Sequence, residues 1–267
     1  MSQSPSAQEL LAIARTAATQ AAKLVVSRRS EVIAQKSEVS TKTSVTDPVT
    51  EMDRAAEALI VKTIKLTRPD DGFIGEEGSE IVSKTGISWA IDPIDGTVNY
   101  MYGLPVWAVS VAALKDGQSI AGCLVAPDLS KIYYATAGGG SFVEDNNGVT
   151  QLKTIPSTDL GQCLLATGFA YRKERRAEIA PVIAAVLPQV RDLRRMGAAS
   201  IDITSVATGG VDAYVESGVR IWDYAAALLI AIEAGAEFIH RNQPWGEWLL
   251  VCRPGLKDQL EEITNLL

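Results

Sequence analysis

Apolar and polar positions repeat along the chain with two periods, helical at first and then close to two. Over residues 8–27, Leu11, Ala14, Ala18, Ala21 and Val25 recur at helical spacing, which predicts an amphipathic helix with one face in a core. Residues 37–46 are rich in Ser, Thr and Lys and predict a loop or mobile hairpin, closed by the turn pair Asp47-Pro48. Thr50-Glu51-Met52-Asp53 fits a capping box ahead of Ala55, Leu59, Ile60 and Ile64, so a second helix is expected from near Thr50 to before Pro69. Apolar runs at 89–91, 106–114, 119–125 and 131–136 follow. Lys115-Asp116-Gly117 and Pro127-Asp128 separate the later ones, as in an antiparallel meander. A turn at 138–140 leads into a strand at 141–144, and Asp145-Asn146-Asn147-Gly148 closes a further hairpin.

Beyond Thr150 the pattern alternates. Strands are expected at 163–167, at 211–216, around Phe238 and at 249–252. Helices are expected at 174–187 (interrupted at Pro181), 201–208, 223–234 and 256–266, and 193–196 leads into Gly197. Such alternation implies an α/β layer. The chain therefore reads as an α+β half over 1–150 and an α/β half over 151–267, joined near 151–160 in one compact unit.

Composition narrows the function. With 47% hydrophobic and 21% charged residues in 267, the chain is a folded globular protein. No apolar run approaches the ~20 residues that span a bilayer, and residues 1–7 lack the pattern of a signal peptide. Cys123, Cys163 and Cys252 are odd in number and far apart, as expected for core residues in a reducing, cytoplasmic setting. A net charge of −7 without a basic block argues against nucleic acid, and Arg172, Lys173, Arg175 and Arg176, interleaved with Glu174 and Glu178, read as a solvated helix face. The single histidine, His240, rules out a His-rich zinc site, leaves a Ser-His-Asp hydrolase only that residue, and reads as structural. The glycines at 138–140 are followed by no Gly-Lys-Ser/Thr, so they form no phosphate-binding P-loop.

Candidate chemistry is therefore carried by carboxylates and hydroxyls. In Trp89-Ala90-Ile91-Asp92-Pro93-Ile94-Asp95-Gly96-Thr97-Val98-Asn99 a buried strand is expected to stop near Asp92, because Pro93 cannot donate to a ladder. Asp92 and Asp95 would then share a turn with Gly96 and the Thr97 hydroxyl. Two carboxylates there repel unless a hard cation lies between them, and a cation beside backbone amides makes a phosphate site. A polar turn in which Asp92 caps local backbone has the same residues. Asp53 reads as cap or as chemistry, and Glu76 as a strand-end acid or a third donor. Asp223, opening an apolar helix, reads as a cap or as a buried carboxylate needing a positive partner.

In their order, Asp47 to Asp53, Gly75-Glu76-Glu77, Trp89 to Tyr100 and Trp222-Asp223-Tyr224-Ala225-Ala226-Ala227 resemble the inositol monophosphatase family, over roughly residues 10–235. The resemblance implies an α+β fold layered α/β/α/β/α. It also implies a Mg²⁺-dependent, lithium-sensitive phosphatase that hydrolyses a phosphomonoester in line, without a covalent intermediate. By position, Glu76, Asp92, the Ile94 carbonyl, Asp95 and Asp223 would hold about two or three Mg²⁺. Gly96 and Thr97 would cradle phosphate. Asp53 and Thr97, with Glu76, would orient and deprotonate the attacking water. Asp95, Gly197, Ala198, Glu216 and Asp223 would contact the alcohol, Glu216 through ring hydroxyls. Many relatives carry Ser or Thr where this chain has Ala198, so only a backbone contact is expected there.

Inositol 1-phosphate and related polyol or sugar monophosphates are the implied substrates, and residues 100–105 look most like actinobacterial members. Histidinol phosphate, fructose 1,6-bisphosphate and 3′-phosphoadenosine nucleotides are the alternatives. Arg172, Arg194 and Arg195 are candidates for a second phosphate, but Glu216 favours a polyol. A homodimer is expected, and some members of the family act through RNA polymerase or ribosome assembly rather than turnover. A haloacid-dehalogenase-type phosphatase needs Asp-x-Asp, which Asp92-Pro-Ile-Asp95 does not provide.

Overall fold

The computed structural model describes residues 5–34, 40–41, 48–49, 51–244 and 246–264. Most of the expected loop at 37–46, the turn residue Asp47 and the cap residue Thr50 lie outside them. Within that stretch β1 (Ser40–Thr41) pairs antiparallel with β2 (Pro48–Val49).

Helices α1 (Ala7–Ala34) and α2 (Glu51–Lys65) cover one face of an eight-stranded sheet. Its strands are β3 (Gly72–Gly75), β4 (Glu80–Ile81), β5 (Ile87–Asp95), β6 (Ala108–Lys115), β7 (Gln118–Ala126), β8 (Lys131–Thr136), β9 (Gly140–Asp145) and β10 (Gly148–Gln151). They stand in the order β10-β9-β8-β7-β6-β5-β3-β4, antiparallel except for β3 beside β5. The expected meander is its long side. Trp89 and Ile91 of β5 face α1 and α2, whereas Ala90 faces a helix on the other side, so the central strand is apolar on both faces.

That helix is α6 (Ile221–Glu233), which lies with α5 (Ala199–Thr208) between the first sheet and a second. Ala90 and Ala112 meet Ala225 and Ala226, small against small, which brings α6 close to the strands. The second sheet has the order β12-β11-β13-β15-β14, formed by β11 (Leu164–Thr167), β12 (Asp192–Arg194), β13 (Ala213–Val219), β14 (Glu237–Gln243) and β15 (Gly246–Cys252). Tyr214 points to α5 and α6. Ala213 and Val215 point to α4 (Lys173–Val186) and α7 (Lys257–Thr264), which close the outer face. The result is five layers, α/β/α/β/α. Each fully buried Trp, Leu or Ile in them contributes roughly 1.5–3 kcal/mol by leaving water.

Three expectations need correction. β5 does not stop at Asp92 but runs to Asp95, with a register shift between Asp92 and Asp95 that absorbs Pro93. Helix α4 is continuous through Pro181, which sits on an exposed face where water can take the carbonyl left unbonded. The short helix α3 (Thr97–Tyr102) was not anticipated; it is one and a half turns long, too short to show a period.

Candidate active site

A cavity of about 780 Å³ opens where the end of β5 and the start of α3 face the start of α5, β13 and the first turn of α6. It brings together Glu76, Asp92, Ile94, Asp95, Gly96, Thr97, Gly197, Ala198, Glu216 and Asp223 from four separate stretches of sequence. Asp53 stands behind this wall, 1% exposed on the first turn of α2, with its Oδ1 3.4 Å from the Thr97 hydroxyl. Arg172 and Arg195 also line the cavity, whereas Arg194 pairs with Asp192 outside it. His240 is away from it, bonded to Glu247 beside the Tyr224 ring.

Local chemistry shapes each part. Gly96 has φ +87°, a left-handed conformation that any Cβ would strain, and this turns the chain from β5 into α3. The Ile94 N–H donates to Asp92 Oδ1 at 3.0 Å. The Thr97 hydroxyl donates to the Ile94 carbonyl at 2.9 Å, a shorter bond than its approach to Asp53. Asp223, in the first turn of α6, accepts the Arg220 N–H at 2.7 Å, so its capping role is real. The Tyr214 hydroxyl donates to Glu216 at 2.9 Å. A Cβ on Gly168 would lie 1.9 Å from Glu216 Oε2, so glycine is what admits that carboxylate.

These acids share a buried space and pay for it in proton affinity. Burial, followed by the charges of Glu76, Asp95, Asp223 and Asp53, pushes Asp92 well above the ordinary carboxylate range. Burial and then Glu76 and Asp95 do the same to Asp223. Asp95 rises to about 6, burial being opposed by hydrogen bonds from Ser200. Burial carries Glu216 to about 7, and burial with the charge of Glu216 carries Asp202 to about 8. Among the described residues no three His, Cys, Asp or Glu side chains stand close enough, as placed, to hold an ion. The donor set is nonetheless all oxygen, four carboxylates and a carbonyl, which is the chemistry a hard divalent cation selects. A cation would also relieve the mutual repulsion that raises these pKa values.

A profile of the inositol monophosphatase family matches residues 6–264. The chain belongs to the inositol monophosphatase family. Among curated relatives, the inositol-1-monophosphatase of Mycobacterium leprae is 42% identical over 95% of this chain and 92% of its own length. The solved structure of Mycobacterium tuberculosis SuhB superimposes with a TM-score of 0.84 at 36% identity, covering 99% of this chain and all of that one. A protein named Nus factor SuhB from Vibrio cholerae is 38% identical over 71% of this chain and 70% of its own length. Inositol monophosphatases are phosphomonoesterases and are generally metal-dependent.

Sequence reasoning missed four residues at this inositol monophosphatase site. Asn99 Nδ2 donates to the carbonyls of Val106 and Met196, at 2.7 and 2.8 Å. Ser200 bonds to Asp95 through both its N–H and its hydroxyl. Glu57, buried on α2, accepts the N–H groups of Glu77 at 2.8 Å and Ser79 at 2.9 Å and so shapes the turn that presents Glu76. Asp202 lines the cavity while its Oδ1 is buried without a hydrogen-bond partner. Only Asn99 carried a signal, its place in the Asp92 to Asn99 stretch. The others are ordinary polar residues of helices whose partners lie far away in sequence or on another element.

Proposed function

We propose that this chain is a Mg²⁺-dependent phosphomonoesterase acting on inositol 1-phosphate and related polyol monophosphates. The observation that carries the reading is the single cavity lined by Glu76, Asp92, Asp95 and Asp223 at one side and by Glu216, seven positions before Asp223, at the other. The carboxylates of Glu76, Asp92, Asp95 and Asp223, with the Ile94 carbonyl, would hold Mg²⁺, about two or three ions. Bound there, divalent ions supply positive charge that neutralises phosphoryl oxygens and makes water a better acid.

The chain's own residues do the rest. The N–H groups of Gly96 and Thr97 cradle the phosphate and fix its orientation for in-line attack. The Thr97 hydroxyl accepts a hydrogen bond from the attacking water while donating its own proton toward Asp53, which serves as the buried base together with Glu76. For this the hydroxyl rotates from the Ile94 carbonyl to Asp53. Glu216, fixed by Tyr214, accepts hydrogen bonds from ring hydroxyls, and Asp95, Asp223 and the Gly197-Ala198 backbone bound the alcohol. A carboxylate at that end suits a polyol better than a second phosphate, although Arg172 and Arg195 are near.

No helix among the described residues is long and apolar enough to cross a membrane. The reading places the protein in the cytoplasm as a homodimer with small-molecule substrates and no nucleic-acid partner, consistent with three buried free cysteines. Phosphate release from inositol 1-phosphate, fructose 1,6-bisphosphate, histidinol phosphate and 3′-phosphoadenosine 5′-phosphate, with Mg²⁺ and with or without Li⁺, tests it. A Li⁺-sensitive preference for inositol 1-phosphate is expected. Preference for a bisphosphate would overturn the role of Glu216, and no release from any would favour a non-catalytic binding role.

A further inference from the structure

We infer that Ser200 is a positioning residue for Asp95, dedicating one carboxylate oxygen to the protein so that the other is offered to the cavity in a fixed orientation. The inference rests on the metal-site reading above and adds a residue to it. Asp92 and Asp223 are each held by an N–H of their own turn, from Ile94 and from Arg220. Asp95 is held instead by the first turn of α5, 104 and 105 positions further along the chain. Its Oδ2 accepts two donors from one residue, the Ser200 N–H at 2.7 Å and the Ser200 hydroxyl. Its Oδ1 accepts only the Ala199 N–H, at a longer 3.2 Å.

The two oxygens are therefore unequal. Oδ2 has its acceptor capacity largely filled, and Oδ1 keeps most of its own. Ser200 is fully buried, so its hydroxyl has no competing water and its rotamer is set by packing in α5. On the other side of the same segment Asn99 grips the Met196 carbonyl. The 196–200 stretch is thus tied at both ends to the turn that carries Asp95. Ala198, whose methyl group cannot donate, takes no part in this. Without the hydroxyl, Asp95 would keep the N–H bonds but turn more freely about its last torsion, and a hard cation, which rewards fixed oxygen ligands, would bind less well.

Titration of MgCl₂ into substrate-free protein by calorimetry tests this, alongside kcat and KM, on four variants. Ser200→Ala should weaken Mg²⁺ binding about tenfold, the lower end of what loss of an outer hydrogen-bond partner costs a metal site. Ser200→Thr, which keeps the hydroxyl, should restore most of it. Adding Ser200→Ala to Asp95→Asn should cause no further loss, because the hydroxyl acts through that carboxylate. If Ser200→Ala loses its fold by thermal melting, Ser200→Cys, which keeps the volume but donates weakly, replaces it with the same expectation. Wild-type Mg²⁺ affinity in Ser200→Ala beside a defective Asp95→Asn would overturn the inference alone, as would additive losses in the double variant. Wild-type affinity in Asp95→Asn would overturn the metal-site reading beneath it.

Discussion

The two walls of the cavity are built in opposite ways. Residues 92–99 form one turn with two bonds of its own, Ile94 N–H to Asp92 and Thr97 hydroxyl to the Ile94 carbonyl, from which Asp95 and Asn99 reach outward. Residues 196–202 take their place from the other end of the chain, through Asn99 on Met196 and Asp95 on Ala199 and Ser200. The first wall has a local frame in its own turn; the second is the start of helix α5, placed by its bonds to the first. Asp92 is thus fixed within its own turn, while Asp95 and the surface that meets the alcohol are fixed by closure of the whole chain.

The hardest blow to this arrangement is Asp223→Asn, in the first turn of α6. Turnover should fall on the order of a thousandfold, the equivalent of about 4 kcal/mol of transition-state stabilisation. The metal-free melting temperature should hold or rise, because one of several buried like charges is gone. Phosphate release and a thermal melt on one preparation check both, and near-normal turnover at saturating Mg²⁺ would remove Asp223 from the ligands.

Thr97→Ala strikes the near wall without touching the far one. A loss in kcat of roughly a hundredfold is expected, the lower range for a proton-transfer partner, with Mg²⁺ affinity changed much less. An unchanged kcat would take Thr97 out of water activation. Glu57→Ala attacks neither wall but the turn between them that carries Glu76. Two half-buried N–H groups lose their acceptor, so about 2 kcal/mol of stability and about tenfold in Mg²⁺ affinity should go. Chemical denaturation and metal titration would show it; a purely structural role would lower stability while leaving affinity intact.

Why the near wall was legible from its residue types and the far wall only through the family resemblance follows from the same contrast. Asp92, Asp95, Gly96 and Thr97 are consecutive or nearly so, and their types fit a cation beside a phosphate as well as a polar turn; the family resemblance chose between them and added the Ile94 carbonyl. The alternation of strands and helices beyond Thr150 was legible too, whereas the five-layer stacking came with the family resemblance. Ser200, Asp202 and Glu57 sit in helices where Ser, Asp and Glu are unremarkable, and their partners are on other elements. The continuation of β5 through Pro93 was missed because a proline without an N–H is read as a stop, while a register shift had already removed the need for that N–H.

The gentlest probe is pH on the metal-free protein, where both walls contribute. Asp95 at about 6, Glu216 at about 7 and Asp202 at about 8 are all raised by burial above the values near 4 of an unfolded chain. Between pH 4 and 8 the folded state therefore holds protons that the unfolded state has released. Stability is fully present below the unfolded pKa and is lost as pH rises through the folded values. In chelator the melting temperature should drop by about 5 °C from pH 5.5 to pH 8.5, and by less with Mg²⁺ present. A profile that is flat in chelator would mean that the two walls do not share the burden of buried charge.

The register shift in β5 has a consequence of parity. Asp92 faces Ser110 and Asp95 faces Ala108, so three steps on one strand answer two on its neighbour. On an unbroken ribbon, side chains an odd number of positions apart emerge on opposite sides, and one of the two carboxylates would have been driven into the packed helices. The single surplus residue restores evenness, and an acid pair with odd spacing comes to look out through the same window. Ile94, the residue that could be counted as spare, sends its own side chain into the core beneath α1 and α2 and leaves its carbonyl among the acids.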